Sequence, residues 1–306
     1  MMGEMMAKLP AFAALACALC LGLEPSDARA QSIDAPNAQQ DAYIEGNLLF
    51  LAYHEAGHVI QDQILKINQI EGRLAAEEIA DDIATWLILP DPDEPEQDEE
   101  IWAAMEGWQR SANEQDAPFK NPHYPDDSER ASRIACYLYG SNPDLYPDLA
   151  KAYSTAIQSV DCGEEFEALH ADIEDWFGDH LIAPDSPGGA LIRVRYDAAQ
   201  GDLAAARAYL METRILEEMA EDISQFIRLP RDVALLAKSC GAGAAEFRYS
   251  ASARQITACY EAVDWFIRDA KGEIQERQVA ASDGATGDEI GSGGSRVKRR
   301  PRRPGG

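Results

Sequence analysis

The stretch NLLFLAYHEAGHVIQDQILKI, residues 47–67, has the clearest pattern of a buried helix in this chain. Its apolar residues recur at helical spacing and fall near one stripe of a helix. These residues are Leu48, Leu51, Ala52, Val59 and Leu65. The segment LAAEEIADDIATWLIL, residues 74–89, repeats the pattern until Pro90 ends it. Because only a short connection separates the two segments, the pattern predicts two helices that fold back antiparallel to each other.

Two of the five histidines of the chain lie in the first of these helices. His54 and His58 are four residues apart, so they lie on one helix face and can offer both imidazoles to a single ion. Glu55 lies beside them, where it can reach a metal-bound water. This geometry suits zinc. The motif also arises by chance, so the alternative of two ordinary surface or core histidines stays open on the motif alone.

The second helix supplies carboxylates at suitable positions. A catalytic zinc takes three protein ligands and keeps one open position for water. Glu77 lies nineteen residues after His58, and Asp81 lies one turn further on the same face. A carboxylate at Asp81 can accept a hydrogen bond from the nitrogen of a histidine ligand that does not bind the metal. The combination predicts a zinc site with His54, His58 and Glu77 as ligands and Asp81 behind them.

Several segments together resemble a known family. They are LAYHEAGHVIQDQ, EEIADDIATWLIL, HYPDDSERASRIACYLYGSNP, LPRDVALLAKSCG and ARQITACYE. The two helices, with Glu77 as third ligand, look like those of the glutamate-type zincins typified by thermolysin. The set as a whole is similar to a family of secreted bacterial zinc metallopeptidases. The resemblance implies a zincin-like fold, a bound Zn²⁺ and hydrolysis of a peptide or protein substrate.

Roles follow for the remaining residues of the site. Glu55 is the predicted general base, which takes a proton from the water and passes it to the leaving amine. His123, beside Tyr124, is the candidate donor to the developing oxyanion, because the segment that resembles the family keeps a histidine there. The alternative for His123 is an exposed loop histidine. Arg130 and Arg133 are predicted to pair with acids near them in sequence. Those acids are Asp126, Asp127 and Glu129. His170 and His180 are predicted to be surface residues, since neither has ligand spacing.

The rest of the chain predicts a mainly α fold, of the α+β kind, with a zincin-like helical core and a small β element near the C-terminus. An acidic loop is expected over residues 90–100. Further helices are expected over 127–140, 146–160, 164–181, 202–227 and 256–278. Strands are expected in RDVALLAKSC and in AAEFRYSASARQITAC, where two extended runs flank a turn.

The N-terminus has the pattern of a secretory signal peptide: the apolar run LPAFAALACALCLGL is followed by Ala28 and Ala30 in the small-x-small order that signal peptidase cleaves. The predicted division is a signal peptide over 1–30, a zinc-binding helical domain over 31–200, a C-terminal helix and hairpin segment over 201–279 and a disordered basic tail over 280–306. The expected location is therefore periplasmic or secreted.

Removal of the signal leaves four cysteines, Cys136, Cys162, Cys240 and Cys259. An even number of thiols in an oxidising compartment predicts disulfides. Four cysteines permit three connectivities, of which Cys136 with Cys162 and Cys240 with Cys259 would each join one local segment.

The formal net charge of −27 argues against nucleic acid or an anionic membrane surface as a partner. Beyond the signal, no stretch has the roughly 20 apolar residues that stable membrane insertion requires. Two classes of function remain: a zinc endopeptidase acting on peptides, and a zincin-fold binding or scaffold protein without peptidase activity. The enzyme is favoured, because a scaffold has no need of the general base.

Overall fold

The structure is a computed structural model, and it confirms the prediction of a mainly helical fold with a small β element. The residues it describes are 36–66, 73–90, 98–113, 126–182, 188–201, 203–241 and 246–283. The predicted signal peptide, His123, Tyr124 and the basic tail from residue 284 onward lie outside these ranges.

The helices form most of the described chain. They are α1 (Ala38–Ile60), α2 (Arg73–Ile88), α3 (Glu99–Asn113), α4 (Asp127–Ser141), α5 (Leu149–Ala152), α6 (Ser154–Ser159), α7 (Cys162–Phe177), α8 (Leu203–Thr213), α9 (Ile215–Phe226) and α10 (Tyr260–Asp283). A π-helical turn, Gln61–Leu65, continues α1, and a 3-10 turn, Gly178–His180, follows α7. None of the helices described combines the length and the apolar character that crossing a lipid bilayer requires.

Helix α1 is the central helix of the fold. A capping box formed by Asn37 and Gln40 starts it, and this kind of cap contributes about 1 kcal/mol. Residues on all sides of α1 are buried, because α2, α3, α9 and α10 pack around it. A helix that is buried all round belongs to the core of a protein. The chemistry-bearing residues of α1 are therefore held by packing on every side.

Helices α1 and α2 cross at very short range. A Cβ atom built on Gly57 would lie 2.9 Å from the Cα of Ala80, which is closer than such atoms approach in real structures. The end of α1 is also bonded to α2, since the buried side chain of Gln61 donates to the carbonyl of Ala76 at 2.7 Å. The glycine and the glutamine together bring the facing sides of the two helices into direct contact.

The sheet has four strands in the order β1-β2-β4-β3. They are β1 (Ile192–Tyr196), β2 (Val233–Lys238), β3 (Phe247–Ser250) and β4 (Gln255–Cys259). Strand β2 is parallel to β1 and to β4, whereas β3 and β4 form an antiparallel hairpin. The structure confirms strands in the two predicted segments, but β1 was not predicted. Strand β3 lies at an edge of the sheet.

Further elements differ from the sequence prediction: α3 was not predicted as a helix, and the single helix expected over 146–160 is divided into α5 and α6. Helix α3 begins at Glu99, inside the expected acidic loop. The single helix expected over 202–227 is divided into α8 and α9 at Arg214, whose φ of 61° places it in the left-handed region. Residues 256–259 belong to β4, so the last helix begins at Tyr260. Apolar periodicity continues across Arg214, and neither glycine nor proline marks the break.

Two disulfides join local parts of the chain. Cys136 of α4 is bonded to Cys162 at the start of α7, with an Sγ–Sγ distance of 2.00 Å. Cys240, just after β2, is bonded to Cys259 at the end of β4, with an Sγ–Sγ distance of 2.02 Å. Of the three connectivities that the sequence allows, the structure has the local one.

Candidate metal centre

The close crossing of α1 and α2 places all five predicted helix residues of the site together. His54, Glu55 and His58 lie on α1, and Glu77 and Asp81 lie on α2. All except His58 are buried, and His58 is only partly exposed. The site is therefore built from two consecutive helices in the core, with no contribution needed from a loop to bring these groups together.

Two ring nitrogens and one carboxylate oxygen converge between the helices. His54 Nε2 lies 3.1 Å from Glu77 Oε2, and His58 Nε2 lies 3.1 Å from the same oxygen. His54, His58 and Glu77 each offer one potential ligand atom, and these atoms all lie within 4.8 Å of one another. This is the arrangement of donors that one small cation can bridge.

Asp81 holds His54 from the other side of the ring. Its Oδ1 lies 2.8 Å from His54 Nδ1, which leaves Nε2 directed at Glu77. A carboxylate in this position selects the tautomer of a metal-binding histidine and fixes the plane of its ring. The structure thus gives Asp81 the contact that the sequence predicted for it.

The charges of the centre favour a cation between these groups. Burial lowers the pKa of His54, but hydrogen bonds to Asp81 and Glu77, together with the charge of Asp81, raise it to about 9. Burial raises the pKa of Glu77, but its hydrogen bonds with His54 and His58 lower it to about 2. In the metal-free centre the carboxylates of Glu77 and Asp81 therefore already hold a proton on His54 at neutral pH.

His58 is held less completely than His54. Its Nδ1 is buried and has no hydrogen-bond partner within the described part of the chain. The ring meets that of His54 edge to face, with the ring centroids 4.8 Å apart. Packing against His54, together with the contact to Glu77, determines its orientation.

The side chain of Glu55 contacts the sheet. Its carboxylate accepts a hydrogen bond from the backbone N–H of Tyr249 in β3. The hydroxyl of Tyr249 in turn donates to Asp62, one residue into the π-helical turn, at 3.0 Å. The edge strand is thereby attached to the same helix that carries both histidines. This contact joins residues 194 positions apart and has no signal in the sequence.

The structure pairs Arg130 and Arg133 differently from the sequence prediction. Arg130 donates to both carboxylate oxygens of Asp81, and Arg133 donates to Asp82 at 2.8 Å. The predicted partners have other contacts: Asp126 caps α4, and the carboxylate of Asp127 accepts from Ser111. The prediction considered only neighbours in sequence, whereas α4 packs against α2 about fifty residues away.

The other histidines that the structure describes lie away from the centre. His170 is partly buried, with its ring centroid 4.5 Å from that of Phe166, and His180 contacts the carbonyl of Arg228 at 3.0 Å. Both are half-buried rather than fully exposed. A second group of potential ligands contains Cys240, Cys259 and Glu261, but its two cysteines are bonded to each other.

A mainly helical chain with two histidines and a glutamate converging on one point, beside a further carboxylate, has the donors of a mononuclear metal centre. Comparison with known proteins agrees with this class. The model of a family described as "Putative metallopeptidase" matches residues 19–176 and 196–289, and this chain belongs to that family. The description implies a bound metal. No curated protein and no solved structure matches the chain.

Proposed function

We propose that this protein is a secreted or periplasmic zinc-dependent metallopeptidase that hydrolyses peptide bonds with Glu55 as general base. The observation that carries the proposal is that one potential ligand atom from each of His54, His58 and Glu77 lies within 4.8 Å of the others. Glu55 follows His54 on the same helix, and its carboxylate is not part of this group. Family membership supports the same class of activity.

Zinc is the metal that these residues fit best. Two imidazole nitrogens and one carboxylate oxygen are the three protein ligands of the catalytic centres that keep a fourth position for water. When bound, zinc makes water acidic enough to yield hydroxide near neutral pH and polarises the carbonyl of the substrate. The contact of His54 Nδ1 with Asp81 supports Nε2 as the coordinating atom.

Glu55 is adjacent to His54 in sequence and turns to another side of α1. It can therefore take a proton from the attacking water without entering the ligand set. The same carboxylate passes the proton to the leaving amine nitrogen. The backbone N–H of Tyr249 fixes one carboxylate oxygen, which limits the orientations available to this base. His123 remains the proposed donor to the oxyanion, from outside the described residues.

The proposed substrate is an extended peptide. Strand β3 is at the edge of the sheet and reaches the metal centre through Tyr249. An extended peptide can add to such an edge through main-chain hydrogen bonds, with side chains alternating between the two faces. The two disulfides are compatible with an oxidising compartment, where peptides of this kind would be met.

The proposal is tested by removing and restoring the metal. The purified mature protein is assayed against a broad peptide pool before treatment with a chelator, after it, and after addition of zinc. We expect hydrolysis to disappear with the metal and to return with zinc. Hydrolysis that is unaffected by complete metal removal would contradict the proposal. A zinc-loaded protein that cleaves no peptide would instead support a binding or scaffold protein.

A further inference from the structure

Arg130 of α4 lies directly behind the candidate metal centre. Its Nε donates to Asp81 Oδ2 at 2.7 Å, and a terminal guanidinium nitrogen donates to Asp81 Oδ1 at 2.6 Å. Asp81 Oδ1 is also the atom that contacts His54 Nδ1 at 2.8 Å. Asp81 Oδ1 therefore contacts both Arg130 and His54. A change in the position of the Arg130 guanidinium can reach the His54 ring through this oxygen.

A two-point contact fixes more than a one-point contact. A guanidinium that meets both oxygens of a carboxylate holds the plane of that carboxylate as well as its position. The guanidinium of Arg130 is itself held, because its carbon lies 3.4 Å from the centre of the Trp108 ring. The orientation of Asp81 is thus set by a rigid group that is packed against the core.

The contact between Arg130 and Asp81 is buried. The side chains of Arg130, Asp81 and His54 are each less than a tenth exposed. A carboxylate in such surroundings is costly without a cation beside it. Removing the guanidinium therefore leaves Asp81 to find other partners, and the nearest described donor on the centre is the ring of His54.

We propose that Arg130 is a positioning residue of the metal centre, which holds Asp81 in the orientation that directs His54 Nε2 at the metal. The inference rests on the part of the proposed function that assigns metal binding to His54, His58 and Glu77, and does not depend on peptide hydrolysis. Arg130 acts through Asp81 and touches neither metal nor substrate in this role.

Arg133 offers a matched control. It lies one turn further along α4 and makes a one-point ion pair with Asp82, the residue after Asp81, from a side chain that is 41% exposed. Asp82 contacts the hydroxyl of Tyr137 at 3.0 Å and has no contact with either histidine among those that the structure describes. A variant at Arg133 therefore removes an arginine–aspartate pair between the same two helices without removing a contact of Asp81 or His54.

The test measures zinc affinity by competition with a chelating dye, with zinc itself as the probe. Substitutions of the carboxylate partner of a histidine ligand typically weaken metal binding 10–100-fold, and we expect Asp81→Asn to fall in that range. Arg130→Gln should weaken zinc binding roughly tenfold, at the lower end of the same range. Arg130→Lys, which keeps the charge but loses the two-point contact, should recover part of this loss. Arg133→Gln should bind zinc as the wild type does.

The double variant Asp81→Asn/Arg130→Gln decides whether Arg130 acts through Asp81. It also leaves no unpaired buried charge, so it serves as a control for folding, which circular dichroism of the metal-free proteins checks. We expect Arg130→Gln to have almost no further effect on zinc affinity once Asp81 is Asn. Equal effects of Arg130→Gln in both backgrounds, or an equal effect of Arg133→Gln, would overturn the inference. If His54→Ala abolishes zinc binding but Arg130→Gln leaves it intact, only this inference is overturned. If the wild type binds no zinc, the proposed function is overturned as well.

Discussion

At the scale of single residues, the two histidines of the centre are held unequally. Both nitrogens of His54 have partners, Asp81 and Glu77, whereas only Nε2 of His58 has one. His54 is therefore fixed before any metal binds, and His58 can adjust its ring when the metal arrives.

Removing both histidines should remove the metal. We expect the His54→Ala/His58→Ala variant to lose the approximately one equivalent of zinc that the wild type retains, because Glu77 alone cannot hold the ion. Elemental analysis of the dialysed proteins measures this. His170→Ala on α7 is the control, since that ring packs against Phe166 away from the centre. Full zinc content in the double variant would show that the metal, if present, binds elsewhere.

Asp82 predicts a pH dependence of stability that is separate from metal binding. Burial raises its pKa to about 7, although Arg133 and Tyr137 lower it in part. Because this folded-state value is above the ordinary value of 3.8, the protonated group stabilises the fold at low pH, and that contribution is lost as the pH rises through about 7. The asparagine of Asp82→Asn stays neutral at every pH. The free energy of unfolding of this variant, relative to that of the wild type, should therefore increase as the pH rises from the ordinary value of 3.8 through about 7.

The difference in free energy of unfolding between Asp82→Asn and the wild type should increase by at most about 1.4 kcal/mol per pH unit. Denaturant unfolding of the two metal-free proteins between pH 4 and 8 measures it, and contributions of the other carboxylates cancel in the difference. A difference in free energy of unfolding that is independent of pH would contradict the raised pKa of Asp82.

At the scale of helices and strands, the spacing of α1 and α2 determines whether the ligands can meet. Gly57 lies between the two histidines in sequence, at the closest point of the crossing. A methyl group there would meet the backbone of Ala80, which cannot move without moving α2. Glu77 and Asp81 lie on α2, so any displacement of that helix changes the metal centre directly.

Gly57→Ala should therefore weaken zinc binding although it alters no ligand. We expect a loss of roughly tenfold or more, comparable to the loss of a residue that orients a ligand. Gly272→Ala in α10 is the control, because a Cβ there meets nothing within 4 Å and alanine is favoured in helices by up to about 1 kcal/mol. The same competition assay measures both variants. If Gly57→Ala binds zinc as tightly as the wild type does, α1 and α2 can move apart at Gly57 without loss of zinc affinity.

The elements that the sequence could predict are those with strong local signals. Apolar periodicity and Pro90 were sufficient for α2 and for the part of α1 that carries the histidines, although α1 begins at Ala38, before the predicted start. The turn-flanked extended runs were sufficient for β3 and β4. Strand β1 is five residues long and is stabilised by pairing with β2, which begins about forty residues later. Such pairing has no local signal. The left-handed residue Arg214, which divides α8 from α9, likewise has no signature in composition.

The same distinction applies to the candidate site. His54, His58, Glu77 and Asp81 could be predicted to meet because they occupy fixed positions on two consecutive helices. The contacts of Arg130 with Asp81 and of Tyr249 with Glu55 depend on how α4 and β3 pack on those helices. They could be found only in the folded structure.

At the scale of the whole molecule, the part of the chain after residue 200 contributes to the environment of the centre. Helices α9 and α10 and strand β3 pack on α1, and α8 packs on α10. Tyr53 of α1 is hydrogen-bonded to Asp222 of α9. The loop before β2 is attached to the π-helical turn, since the backbone of Arg231 donates to Gln63 at 2.9 Å. We therefore expect that the first helices alone would not form a working centre.

The disulfides should stabilise this assembly. Their loops span 26 and 19 residues, so loss of chain entropy in the unfolded state predicts about 3 kcal/mol of stabilisation for each. Non-reducing peptide mapping of exported protein should recover Cys136 with Cys162 and Cys240 with Cys259. Alanine substitution of either pair should lower the free energy of unfolding by about that amount. Free thiols throughout the exported protein would contradict both the pairing and the oxidising compartment.

The Glu55→Gln variant distinguishes a base at Glu55 from a metal ligand at that position. Glutamine keeps the size and the hydrogen bond from Tyr249 but cannot take the proton. Zinc content and peptide hydrolysis are measured on the same preparations of wild type, Glu55→Gln and Glu77→Gln. We expect Glu55→Gln to keep its zinc and to lose hydrolysis by about 10²–10⁴-fold, which is the usual contribution of general-base catalysis. Glu77→Gln should lose zinc first and activity as a consequence. Hydrolysis by zinc-loaded Glu55→Gln at the wild-type rate would contradict the account.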